Sequence, residues 1–313
     1  LCLSSILSYL STFLVYIHVR YYDNTSSGST SPFIGCTALK EIILPEGMTA
    51  VPSQAFREMT SLETVVLPDS IKTISSYAFY NCSGLTSVTF SESLATIGDS
   101  AFSNCTGLTS IEIPSSITTI NNSVFSGCSG LTSVTLPETL TTISGYAFSG
   151  CTSLESVEIP DSVENIAEYA FQDCTKLSSV KLPLGWKRVV RYYDNTSSGS
   201  TSPFIGCTAL KEIILPEGMT AVPSQAFREM TSLETVVLPD SIKTISSYAF
   251  YNCTGLKNIT FSKNLETISS NAFYNCKTLT ALNLPDSLKT IDYSAFYNCS
   301  GLTSVTFSES LAT

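Results

Sequence analysis

Cys82, Cys105, Cys128, Cys151 and Cys174 stand 23 residues apart, and a phenylalanine precedes each by three positions: Phe79, Phe102, Phe125, Phe148 and Phe171. Self-similarity at a fixed period of roughly 20 to 50 residues marks a chain that winds into stacked units, none of which closes a core alone. In the unit CSGLTSVTLPETLTTISGYAFSG, which starts at Cys128, the apolar residues Leu131, Val134, Leu136, Leu140, Ile143, Ala147 and Phe148 hold fixed offsets. The next unit repeats them as Leu154, Val157, Ile159, Val163, Ile166, Ala170 and Phe171. The phenylalanine recurs at 33, 56, 79, 102, 125, 148, 171, 204, 227, 250, 273 and 296, giving twelve units. A stack needs only about three, and a repeat array of this length can be one elongated body, so the 313 residues do not count domains here.

Each unit opens with LxxVxLP, a short alternation of apolar and polar residues that a proline closes, as at Leu131, Val134, Leu136 and Pro137. This pattern predicts a strand. Proline has no N–H to give a ladder, so it fixes where pairing stops. The second half predicts a short extended piece at Thr142 and Ile143, then a turn of helix or 3₁₀ carrying Ala147 and Phe148. Gly127, Asn81, Asp173 or Glu58 stands just before the cysteine position. Glycine and asparagine suit a left-handed corner there.

Eleven cysteines raise the question of disulfides or zinc. No two fall at CxxC spacing, and His18 is the only histidine, which excludes a zinc finger. Ten cysteines share one position of the repeat, and Met59 and Met230 fill it elsewhere. A thioether cannot bridge, so the position asks for a soft apolar filler, and buried free thiols are expected. They leave the redox compartment open. The net charge of −10 and the lack of a basic face argue against nucleic acid as a partner.

Four segments follow. Residues 1–19 are an apolar flank, nearly long enough to span a bilayer and read as a signal or membrane remnant or as an unmatched flank. Residues 20–183 form a first repeat block, which begins with a polar stretch over residues 20–35. Residues 184–203 form an insertion loop, because 33 residues separate Cys174 from Cys207. Residues 204–313 form a second block that stops within a unit, as a piece of a longer array would. Residues 19–82 recur unchanged as 190–253, and 78–96 recur as 295–313, which indicates a recent duplication or a fused gene model. Asn-X-Ser/Thr acceptors at Asn24, Asn81, Asn104, Asn121, Asn195, Asn252, Asn258 and Asn298 owe their form largely to the repeat and would be used only on secretion.

The unit LxxVxLPxxLxxIxxxAFxxC resembles the leucine-rich repeat of BspA-like surface proteins of bacteria and protists, over residues 36–313. Departures are Met59 and Met230 for Cys, Val124 for Ala, Ser91, Ser262 and Ser308 for Pro, Pro32 before Phe33, and the stretched unit before Cys207. With the reading of the unit, the resemblance implies a β-dominated α/β-type solenoid. It would be a right-handed superhelix with a parallel sheet on its concave face and short strand, 3₁₀ or helical turns on the convex side. It also implies a surface-exposed adhesin that binds host or matrix proteins. An intracellular repeat scaffold is the alternative, so cell surface, secreted and cytoplasmic locations all stay open.

Binding positions follow from strand alternation. Outward residues on the concave face form columns that include Ile43, Val66, Glu112, Thr135, Glu158, Lys181, Ile214 and Val237. The stretched unit adds Trp186, Lys187, Arg188, Arg191, Tyr192 and Tyr193, an aromatic and basic cluster suited to protein contact. Catalysis needs tuned groups gathered in a pocket. The only histidine lies outside the array and the carboxylates are scattered, so the chain is read as non-catalytic, without metal or cofactor. Its partner would be a protein, and any membrane contact would run through an anchor outside the array.

Overall fold

The computed structural model describes residues 31–191 and 201–307. The chain forms a parallel β-solenoid of about eleven turns. Among the described residues are 23 strands of two or three residues each. They fall into two alternating series. The first holds twelve, from Glu41–Ile43 to Ser304–Thr306, and the second holds eleven, from Ala50–Val51 to Thr290–Ile291. Pairing is parallel, each residue facing the one a period away: Thr142 lies beside Thr119 and Asn165, and Ser156 beside Ser179. The LxxVxLP segment is therefore the first strand, and the Thr-Ile pair is the second.

The helical or 3₁₀ turn expected after the second strand is absent. No helix occurs among the described residues, so the fold is β throughout instead of mixed α/β. The reason lies in how the backbone N–H groups are used. At residues 147, 149 and 151 they close local turns onto Ser144, Tyr146 and Phe148. The alternate ones, at Phe148 and Gly150, donate to Ala170 and Gln172 of the next coil at 2.7 Å. A helix would need all of them for its own i−4 carbonyls. Left-handed residues flank ten of the twelve phenylalanines two positions away on either side, as at Tyr146 (φ 57°) and Gly150 (φ 72°); Phe33 and Phe204 have one on the C-terminal side alone. That conformation ends a right-handed helix. The second corner was foreseen at Gly and Asn, and Glu58, Asp173 and Glu229 adopt it as well.

The inward residues pack as one continuous core. Phe79, Phe102, Phe125, Phe148 and Phe171 are fully buried. Rings stack on their neighbours at 5.1 to 5.9 Å with interplanar angles of 1° to 20° from Phe33 to Phe204 and again from Phe227 to Phe296. The stack crosses the stretched unit, where Phe171 and Phe204 lie 5.4 Å apart. Adjacent to it runs the cysteine column, with all ten cysteines in the described residues free.

The stretched unit departs from the loop expected over residues 184–203. Leu184 and Gly185 form the ordinary turn, and Arg188–Val190 is a regular second-series strand paired with Asn165–Ala167. Glu168 donates its N–H to Val190 O (2.8 Å), whereas the Tyr169, Phe171 and Asp173 N–H groups reach Ser202, Pro203 and Ile205. The register thus slips by ten residues between Arg191 and Ser202. The apolar flank of residues 1–19 lies outside the described residues.

Because each ring is sealed by two neighbours, its removal costs most in mid-stack. Phe148→Ala should lower the unfolding free energy by about 3–5 kcal/mol, the usual cost of emptying a large buried site. Phe33→Ala, at a half-buried first rung, should cost clearly less. Urea denaturation followed by circular dichroism compares the two, and equal losses would contradict a stack sealed by its neighbours.

Candidate binding surfaces

Strand alternation turns one residue of each first-series strand inward and its neighbours outward. The predicted outward columns are where the sequence put them. Ile43, Val66, Glu112, Thr135, Glu158, Lys181 and Ile214 are exposed, and Val237 is half-buried. Pairing brings together Ile43 with Val66, Glu112 with Thr135, Glu158 with Lys181, and Ile214 with Val237. Ile43 and Val66 are both open to solvent, and in the copy Ile214 is, with Ile43 at 50% and Ile214 at 61%. Their flanks are charged: Lys40 pairs with Glu63 at 2.7 Å, and Glu234 holds Lys257 (2.6 Å) and Lys211 (3.6 Å). Lys257 keeps the Glu234 carboxyl below its usual range. Such exposed pairs add little stability but fix the charge around each apolar spot. Between them, a shallow depression of about 330 Å³ lies over Ser133, Thr135 and Ser156, edged by Glu138, Glu158 and Lys181.

The second predicted cluster is not one surface. Trp186 is 3% exposed. It sits in the inward slot that Val163 fills one period earlier, edge-on to Phe204 (6.3 Å) and Phe227 (5.8 Å). Its indole N–H donates to Arg188 O at 3.0 Å. The spacing already held this signal, since Trp186 stands twelve residues after Cys174, as Val163 does after Cys151. Lys187 is exposed and bound to Glu164 (2.5 Å), and Arg188 donates Nε–H to Asn165 Oδ1 (2.9 Å). Arg191 is half-buried. Tyr192 and Tyr193 lie outside the described residues.

The cysteine column is chemically quiet. Nine thiols, from Cys82 to Cys299, each donate to a phenylalanine carbonyl of the preceding coil at 3.0 to 3.3 Å. Burial pushes Cys82 up to about 12 from its ordinary 9.0 and raises Cys105, Cys128, Cys151 and Cys253 as well. The neighbouring thiols Cys151 and Cys174 are the main cause of the rises at Cys174 and Cys207. Raised thiols are poor nucleophiles and poor metal ligands. No group of three or more His, Cys, Asp or Glu among the described residues could hold a metal ion.

The family pattern described as the BspA type leucine-rich repeat region, six copies long, matches residues 18–131, 95–196 and 197–313. The chain belongs to the BspA-type leucine-rich repeat family. Among solved structures of this fold, a leucine-rich repeat protein from Bacteroides ovatus superposes with a TM-score of 0.65 at 26% identity, covering 91% of this chain and 76% of that one. The pneumococcal vaccine antigen PcpA gives 0.52 at 24% identity, covering 87% and 73%. A leucine-rich cell surface protein from Faecalibacterium prausnitzii gives 0.42 at 27% identity, covering 86% and 88%. No curated protein matches the chain.

The thiols also set a dependence on pH. Above pH 9 unfolded thiols release protons that the folded ones keep, so proton binding favours the folded form ever less as pH rises. Stability should be level with pH below about 9 as far as thiols are concerned, then fall by up to about 1.4 kcal/mol per pH unit for each buried thiol. Denaturation at pH 8 and pH 10 should give a smaller difference for Cys128→Ala/Cys151→Ala than for the parent. Alkylation of the native chain should label the exposed Cys36 and spare the nine buried thiols. Rapid labelling of those nine would contradict the burial.

Proposed function

We propose that this BspA-type array is a non-catalytic docking module for a protein at the cell surface, and that the outward face of its first-series strands makes the contact. The observation that carries this reading is the solvent-open Ile43–Val66 pair and its copy, exposed Ile214 beside half-buried Val237, each flanked by lysine and glutamate. Apolar spots on an otherwise hydroxyl-lined and charged face are the sort of feature a partner covers, and the charges around them select which partner. Placement at the surface draws support from the family, whose repeat unit is the one that BspA-like surface proteins carry. Buried thiols are shielded in any compartment, so they favour neither this reading nor an intracellular scaffold.

The duplication gives the test its form. Surface plasmon resonance of the array against a panel of extracellular-matrix proteins should find a ligand whose affinity falls at least tenfold in Ile43→Ser/Ile214→Ser. Each single substitution should do less, because the other copy remains. Limited protease treatment of intact source cells should release peptides of the array. Peptides appearing only after lysis would end the surface reading, and a ligand indifferent to the double variant would move the contact off this face.

A further inference from the structure

The outward face of the second-series strands carries a different chemistry, and we propose that it holds a site for an acidic sugar. A hollow of about 300 Å³ crosses four successive coils between Thr119 and Arg191. Four rungs at a strand spacing of about 4.8 Å give it a length of roughly 15 Å. Along one column the register places Thr119, Thr142, Asn165 and Arg188 side by side. Gly145 and Ala167 bring little bulk, and Asn122 and Arg191 line the adjacent positions.

The charge balance singles this hollow out. The chain carries 26 acidic and 16 basic residues, yet two arginines and no carboxylate line this surface. Of the carboxylates beside it, Glu164 holds Lys187, Asp99 Oδ1 accepts the Asn122 N–H at 3.1 Å, and the buried Glu168 accepts the Thr201 amide at 3.3 Å. Asn165 Oδ1 anchors Arg188 through its Nε–H, which orients the guanidinium over the hollow's lining. A guanidinium fork matches a carboxylate or a sulfate in two parallel hydrogen bonds. The rest of the lining is threonine, serine and asparagine, which both donate and accept as sugar hydroxyls require. Ala167 and Val190 are the only apolar residues besides glycine, so a peptide would find no pocket for an anchoring side chain. An acidic glycan, with hydroxyls along its length and one anionic group per unit or two, satisfies both halves of the surface.

Isothermal titration calorimetry of the full chain tests this with four probes: hyaluronan tetrasaccharide, heparin tetrasaccharide, neutral chitotetraose and hexaglutamate. At least one of the two acidic sugars should bind, more weakly as salt rises, and which one binds names the acid group as carboxylate or sulfate. Chitotetraose should not bind. Arg188→Gln should weaken binding at least tenfold, and Gly145→Gln, which fills the hollow but keeps both arginines, should weaken it as well. Lys181→Gln, on the first-series face, should change nothing, and all three variants should melt within a few degrees of the parent. The proposal is overturned by no acidic-sugar binding at millimolar concentration, by equal affinity in Arg188→Gln, or by hexaglutamate or chitotetraose binding as tightly as the sugars. The protein-docking face can fail its own test without touching this one, because the two sites share no residue.

Discussion

Contact between one coil and the next carries this structure. A 23-residue coil has seven or so inward side chains and no second layer of its own to cover them, so every buried surface is shared with a neighbour. Two interactions fix how neighbours meet. The phenylalanine rings stack at about ring-contact distance along the array, and each thiol reaches back to the carbonyl of the preceding coil's phenylalanine. That carbonyl also accepts the N–H of its own coil's cysteine, as Phe148 O does from Cys151 at 3.3 Å. Cysteine suits the place because it is small and apolar enough for the core and still donates weakly. Met59 and Met230 fill the volume without the donor.

The duplication supplies an internal control on that dependence. Phe33 and Cys36 have unchanged copies in Phe204 and Cys207, with the same turn around them. Ser31 Oγ donates to Ala55 O and Ser202 Oγ to Ala226 O, both at 2.8 Å. Local structure is thus fixed by sequence. Burial is not: Cys36 is exposed and Phe33 half-buried, whereas Phe204 and Cys207 are buried beneath the coil that carries Trp186. Identical residues differ only in what lies above them, so the burial belongs to the pair of coils.

This division also marks what the sequence could and could not disclose. Period, strand positions, inward set and outward columns follow from counting, because a parallel stack turns a repeat into a register. The turn did not follow. Tyr146, Ala147 and Phe148 have no strong local objection to a helix, and the left-handed residues on either side are often Tyr, Ser or Glu, types that do not announce that conformation. The competing demand comes from the neighbouring coil, which takes alternate N–H groups, and a single unit's sequence does not display it. Trp186 was the opposite case: composition suggested a surface aromatic, while its place in the register, the slot of Val163, gave the correct answer. Where pattern and residue type disagree in a solenoid, the pattern holds, since an inward position has no alternative exit to solvent.

The same logic explains how one scaffold can carry two unlike surfaces. Inward positions answer to the coils above and below, so they vary little: Leu, Ile, Val, Ala, Phe. Outward positions answer to nothing in the stack. The column of threonines in the second series, Thr73, Thr96, Thr119 and Thr142, gives way to Asn165 and Arg188 without disturbing Ile166 or Val189 beneath it, both fully buried. The first series carries Ile43 and Val66 outward on the same terms. Departures from the outward consensus therefore cost the fold little, and a departure that also gathers complementary groups into one place, as Asn165 with Arg188 does, calls for a reason outside stability. In a chain whose core is set by repetition, the outward residues that break the repeat are the ones the stack itself leaves unconstrained.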